Sequence, residues 1–279
     1  MKIFSVTIVQ DQEDIIEENV RHHQPIFDDL YIWDIGSSDK TSEILKKLGN
    51  EFPNVHVKFE ERLFANDLRG ELFWEIRENY NENDWYYQLD SDEFLQSNIR
   101  PILHKANKRN KQYVRTYHFN FRLRKDDINA PFKNTSSRNY FKVDYSEVRA
   151  FKNTNDIQWP LNNRSLMPLG LILPINLKRP HNEFIKVYHY PFRSKEQLER
   201  RIESKRKLIK GPNYKEIKGI NYRKYNITDI DTLLSNEQDL RNIKVSNKVH
   251  FSEDIKIRYK TVWKPVFNHI KKSFFKFHK

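Results

Sequence analysis

The first ninety residues alternate short β-branched runs with amphipathic stretches, and this alternation limits the fold more than any other feature of the chain. Ile3 to Val9 is an apolar run suited to a buried parallel strand. Glu13 to His23 follows, with Ile15, Ile16 and Val20 at helical spacing. Leu30 to Trp33 reads as a second strand, then a helix with Thr41, Ile44, Leu45 and Leu48 on one face. Val55 to Phe59 is a third strand, Asp67 to Tyr80 a third helix, and Trp85 to Leu89 a fourth strand. Such a series predicts an α/β fold with a mostly parallel sheet flanked by helices, and ligands beyond the carboxyl ends of its strands. From about residue 100 the pattern loosens. Tyr113 to Leu123 and Tyr140 to Phe151 each read as one strand, and Trp159 to Pro180, rich in Pro and Asn, as loop. Ser194 with Gln197 opens a charged helix that stops at Gly211-Pro212.

Composition excludes several classes of protein. The 279 residues include 19 Phe, 14 Tyr and 5 Trp, far too aromatic for a disordered chain. With no cysteine, a disulfide scaffold, a thiol nucleophile and a thiolate metal site are all excluded. The longest apolar stretch, Leu166 to Ile175, is broken by Pro168 and Pro174, and the N-terminus lacks a signal-peptide core. A soluble cytoplasmic protein is therefore expected. The net charge of +12 is unevenly divided. Residues 1–95 hold 9 Lys/Arg against 22 Asp/Glu, whereas residues 96–279 hold 41 against 16. A nucleic-acid-wrapping protein would rarely make its first third so acidic. The division suits carboxylates gathered for a metal, followed by a segment that meets an anionic partner.

Asp34 closes the second strand, and Asp90 and Asp92 close the fourth, so all three border the ligand crevice of such a sheet. Two carboxylates one residue apart, just past a strand, can share a hard divalent cation with a substrate diphosphate. The alternative is a turn in which Asp92 and Glu93 start a helix.

Three segments resemble motifs of family 2 glycosyltransferases, in that family's order and spacing. They are Val9-Gln10-Asp11-Gln12-Glu13-Asp14-Ile15-Ile16-Glu17-Glu18-Asn19, Asp34-Ile35-Gly36-Ser37-Ser38-Asp39-Lys40-Thr41 and Trp85-Tyr86-Tyr87-Gln88-Leu89-Asp90-Ser91-Asp92-Glu93-Phe94. A fourth, His189-Tyr190-Pro191-Phe192-Arg193-Ser194-Lys195-Glu196-Gln197, is similar to a segment of bacterial members. One departure is Gln12, where the family usually has an acidic residue. The resemblance implies a GT-A (Rossmann-like) domain over 1–210, with a donor-binding half at 1–95, an acceptor-side half at 96–210 and a helical basic extension at 211–279. It implies transfer of a sugar from a nucleotide-sugar donor, expected to be UDP-linked, to a glycan or lipid-linked acceptor, with Mn²⁺ or Mg²⁺ as cofactor. By that analogy Asp11, Asp34, Asp67, Arg69, Asp90, Ser91 and Arg193 line the nucleotide-sugar site, and Asp90, Asp92 and His189 ligate the metal. Bacterial surface polysaccharide synthesis is the setting it implies.

An inverting transferase also needs a carboxylate to take the acceptor proton. Glu147, in Tyr145-Ser146-Glu147-Val148-Arg149, is the candidate, and a surface pair with Arg149 is its alternative role. Residues 255–279 carry eight Lys/Arg and no Asp/Glu, with Trp263, Val266, Phe267, Ile270, Phe274 and Phe277 on one helical stripe. Such a helix suits the anionic inner face of the cell membrane, or else packs its stripe on the domain. Three rivals remain. A nucleotidyltransferase would carry a Gly-rich loop after the first strand, which this chain lacks. A nucleic-acid-binding protein would use the basic half, and a binding-only relative of the transferases would retain the donor site without turnover.

Overall fold

The computed structural model describes residues 1–258 apart from 63, 65, 66, 160–172, 175, 211–239 and 244–247. The expected stop at Gly211-Pro212 and the aromatic stripe from Trp263 to Phe277 lie outside the described residues. In chain order the elements are β1 (Ile3–Val9), α1 (Ile16–His23), β2 (Asp29–Asp34), α2 (Thr41–Glu51), β3 (Val55–Phe59), α3 (Leu68–Ile76), β4 (Trp85–Gln88) and β5 (Glu93–Leu95). They continue as α4 (Arg100–Lys108), β6 (Tyr113–Phe121), β7 (Tyr140–Tyr145), β8 (Val148–Lys152), β9 (Pro180–His189), α5 (Lys195–Lys210), β10 (Arg241–Asn242) and α6 (Phe251–Arg258).

All ten strands join one mixed sheet in the order β10-β7-β6-β8-β4-β1-β2-β3, with β9 paired to both β6 and β5. Strands β4, β1, β2 and β3 are parallel to one another. From β8 outward the path turns antiparallel through β6, β7 and β10. The chain winds from β1 to β3 on one side and then crosses to β4 on the other. The topological switch, where α/β sheets hold their ligands, thus falls between β1 and β4.

Alternation along the strands sorts the core into two layers. Ile3, Trp85 and Tyr87 point to the face covered by Ile16 and Val20 of α1, Leu45 and Leu48 of α2, and Leu103 of α4. Phe4, Val6 and Tyr86 point to the other, where Leu72 and Phe73 of α3 meet Phe151 and Trp159. The rings there pack closely, with Tyr86 4.3 Å from Phe151 and edge-on to Phe73 at 5.1 Å. Every residue of β1 is buried, which explains its unbroken apolar run.

Two local expectations change. Tyr140 to Phe151 forms two strands, β7 and β8, joined at Ser146-Glu147, where no glycine or Asn-Gly pair announces a turn. Glu93 begins strand β5 rather than a helix, because β9, more than eighty residues away, supplies its hydrogen-bonding edge. Past residue 210, β10 adds to the edge at β7, and α6 buries Ile257 against the core. Among the described residues no helix is long and apolar enough to cross a membrane.

Candidate active site

The loops after β1, β2 and β4 converge at the carboxyl end of the parallel strands. Asp34, the last residue of β2, is buried, and its own turn surrounds its carboxylate. Oδ1 accepts hydrogen bonds from the Gly36 and Ser37 amides (3.2 and 2.9 Å) and the Ser37 hydroxyl (2.8 Å). Oδ2 accepts one from the Ser42 hydroxyl at 2.5 Å. Asp11 joins this loop from β1, accepting from the Ser38 amide at 2.7 Å while its own amide donates to the Ser37 hydroxyl at 2.9 Å. Gly36 sits at φ +102°, and a Cβ there would come within 3.1 Å of Glu61 Cγ. Gly36→Ala is expected to destabilise the fold by about 1–3 kcal/mol in urea unfolding, and a smaller loss would show that this turn tolerates a side chain.

Two adjacent charge clusters occupy the end of β4. In the first, Arg69 donates to Asp90 Oδ1 at 2.6 Å, and Arg149, only 5 % exposed, donates to Asp90 Oδ2 at 2.9 Å. The same Arg149 nitrogen lies 2.5 Å from Glu93 Oε1 and 3.0 Å from Glu147 Oε2. Glu93 is fully buried and also meets His118 Nε2 at 3.0 Å. In the second cluster His189 Nε2 lies 3.5 Å from Asp92 Oδ1, and its Nδ1 lies 2.6 Å from Asn120 Oδ1. Asp67 is buried just ahead of α3, and Ser91 is buried between the two carboxylates in sequence.

Burial alone would raise both aspartates, but their neighbours outweigh it. Arg149, Arg69 and His189 hold Asp90 well below the usual carboxylate range, and His189, Arg193 and Arg201 do the same for Asp92. Burial pushes Glu93 up despite Arg149, with Asp90 adding to the rise, and pushes His118 far down. Burial also depresses His189, yet Asp92, Glu93 and Asp90 overcome it and leave the imidazole more basic than usual.

As a cation site the arrangement fits in part. No three His, Asp or Glu side chains converge as a metal set among the described residues. Both oxygens of Asp90 are engaged by arginines, which leaves Asp92 and His189, 3.5 Å apart, as the two side chains that could hold a cation. A cation held by so few protein groups completes its shell with substrate phosphates and water, as Mg²⁺ commonly does.

The remaining sequence candidates divide. Arg193 is fully buried, donating to Asp14 from Nε (2.7 Å) and from one terminal nitrogen (2.9 Å), to Gln12 Oε1 at 2.9 Å and to the Tyr190 carbonyl at 3.0 Å. It thereby fastens the segment after β9 to the loop after β1. Gln12, the departure from the acidic pattern, is part of this clamp. Glu147 lies in the β7–β8 turn, 45 % exposed, and its contact with Arg149 leads into the site rather than across an outer strand face. Sequence reasoning missed Glu93, His118 and Asn120 as parts of the cluster. The alternation of β6 puts His118 and Asn120 on one face, a signal that gained meaning only with β9 alongside.

Neither a family model nor a curated protein matches this chain. Among solved structures, S. aureus TarS 1–349 aligns at 14 % identity and TM-score 0.43, covering 76 % of this chain and 66 % of that one. A second S. aureus TarS structure aligns at 13 % and 0.39, covering 76 % and 40 %. The mannosyltransferase PcManGT from Pyrobaculum calidifontis, in complex with GDP-Man and Mn²⁺, aligns at 12 % and 0.33, covering 44 % and 36 %. This chain thus spans less than two thirds of each of these structures, and at such scores no argument about its chemistry rests on them.

Proposed function

We propose that this chain is a glycosyltransferase that moves a sugar from a nucleotide-sugar donor to a glycan or lipid-linked acceptor. The observation that carries this reading is the strand end Asp90-Ser91-Asp92 at the switch point, with Arg69, Arg149 and His189 gathered on it. Asp34 and Asp11 lie at the ends of the neighbouring strands, so the row spans about 10 Å across β2, β1 and β4. That is room for a nucleoside at one end and its diphosphate at the other.

Asp92 and His189 would hold a divalent cation, Mn²⁺ or Mg²⁺, which supplies Lewis-acid stabilisation of the departing diphosphate. Arg69 and Arg149 present fixed positive charge to the same group. In the transfer the bond between the anomeric carbon and the diphosphate oxygen breaks, and the nucleoside diphosphate leaves with the electron pair. The acceptor oxygen bonds to that carbon with inversion, and its proton passes to a carboxylate base, for which Glu147 is our assignment. The basic residues 255–279 are assigned to the anionic inner membrane surface, next to a lipid-linked acceptor, in a cytoplasmic protein.

A melting-temperature panel of nucleoside diphosphates and nucleotide sugars, with and without Mn²⁺, tests this reading. One nucleotide class is expected to raise the midpoint, more so with Mn²⁺. Ligation needs the neutral ring, while the raised pKa of His189 retains its proton to higher pH. The Mn²⁺-dependent part should therefore grow from about pH 6 to about pH 8. No shift with any nucleotide would sink the transferase reading. A shift indifferent to Mn²⁺ and pH would keep the donor site and remove the cation, and binding without turnover would leave the binding-only relative.

A further inference from the structure

Arg149 is over-subscribed. One terminal guanidinium nitrogen carries two hydrogens, yet that nitrogen lies within 3.0 Å of carboxylates from Asp90, Glu93 and Glu147. The three acceptors are not equivalent. Glu93 is fully buried and closest, and Asp90 is fixed from its other oxygen by Arg69. Glu147 stands on a two-residue turn, is nearly half exposed, and can swing into water at little cost. The arginines on the two oxygens of Asp90 straddle one carboxylate, which places both within reach of a single phosphate group.

We infer that the Glu147 carboxylate occupies, on Arg149, the place of a donor phosphate, and that the arriving diphosphate displaces it. This rests on the transferase reading and adds an order of events to it. The donor takes Arg149, Glu147 swings free, and only then is that carboxylate available to accept the acceptor's proton. While Glu147 stays paired with Arg149, its Oε2 is turned to the guanidinium, 3.0 Å away, and not to an acceptor hydroxyl. The pairing thus holds the base out of use until a donor is seated, and the acceptor cannot be activated ahead of it.

Inorganic pyrophosphate and UDP serve as probes, measured by calorimetry on the full chain with the wild type, Glu147→Gln and Glu147→Asp. Both variants are expected to bind pyrophosphate about three- to tenfold more tightly, because neither competes for Arg149 as the wild-type side chain does. The aspartate variant separates contact from charge, since it keeps the negative charge but is one methylene too short to reach Arg149. Tightening in the glutamine variant alone would mean a general field effect and would overturn the inference. So would binding unchanged or weaker in both. If the wild type binds UDP but the variants show no gain, the donor site survives and only the displacement falls. If the wild type binds neither probe, both fall together. Glu147 sits at the surface of a turn, so either change is expected to leave the melting temperature of the unliganded protein within about 2 °C.

Discussion

Replacing Asp92 by asparagine is expected to slow nucleotide-sugar cleavage by about a hundred- to a thousandfold while the chain stays folded. The estimate follows from the role of the group. A cation at a leaving diphosphate contributes several kcal/mol to the transition state, and Asp92 is the carboxylate that faces His189 without an arginine hydrogen-bonded to it among the contacts described above. Asparagine keeps the shape but gives up the charge that, on the proposed reading, would bind the cation. The loss should fall on kcat/KM, with the nucleotide-induced rise in melting temperature reduced in parallel. A stability signature separates this from simple damage. Burial would raise Asp92, but His189 and the nearby arginines hold it below its unfolded value of about 3.9. A depressed carboxylate stabilises the fold above its unfolded pKa, and that contribution fades as pH falls through the folded value. The Asp92→Asn protein should therefore be less stable than the wild type at neutral pH and equal to it in acid. Cleavage within about threefold of the wild type would remove Asp92 from the reaction.

The second large effect concerns architecture. Asp14→Ala is expected to cost about 3–5 kcal/mol of stability, because it leaves the fully buried Arg193 guanidinium with only neutral acceptors. The double change Asp14→Ala with Arg193→Met should regain much of that, as replacing a buried pair with packed apolar groups commonly does. The pair joins residues 179 apart in sequence. Arg138 reinforces it from Nε to the Arg193 carbonyl at 3.0 Å, and the Tyr190 amide donates to the Asp92 carbonyl at 2.8 Å. Arg193 therefore sets where β9 ends, and through it where His189 stands beside Asp92. The measurement is urea unfolding of the three proteins. A single-variant cost below about 1 kcal/mol would show that Arg193 reaches water or another anion.

The link between these results explains why the site was only half legible beforehand. Asp34, Asp90 and Asp92 could be read at strand ends because each strand signals itself locally. Ile3–Val9 and Val55–Phe59 were recovered with the same bounds, and Trp85–Gln88 to within one residue. What surrounds the carboxylates could not be read that way. Glu93, His118 and Arg149 come from β5, β6 and β8, brought side by side by antiparallel pairings and by the parallel pairing of β6 with β9. Register shifts opposite β6 skip Asp144 on β7 and Arg149 on β8, which breaks the period along those two strands.

Hydrophobic periodicity, a short-range property, determined the βα alternation of the first ninety residues, the parallel core and the position of the acidic strand ends. It did so because burial of one face dictates which residue types recur, and where a strand must stop. The partners of those acids were decided by tertiary structure alone. Arg69 and Arg149 engage Asp90, His189 faces Asp92, and Arg193 turns inward to Asp14. A charge's partner depends on distance in space and on burial, and neither is recorded in the order of residues along a chain.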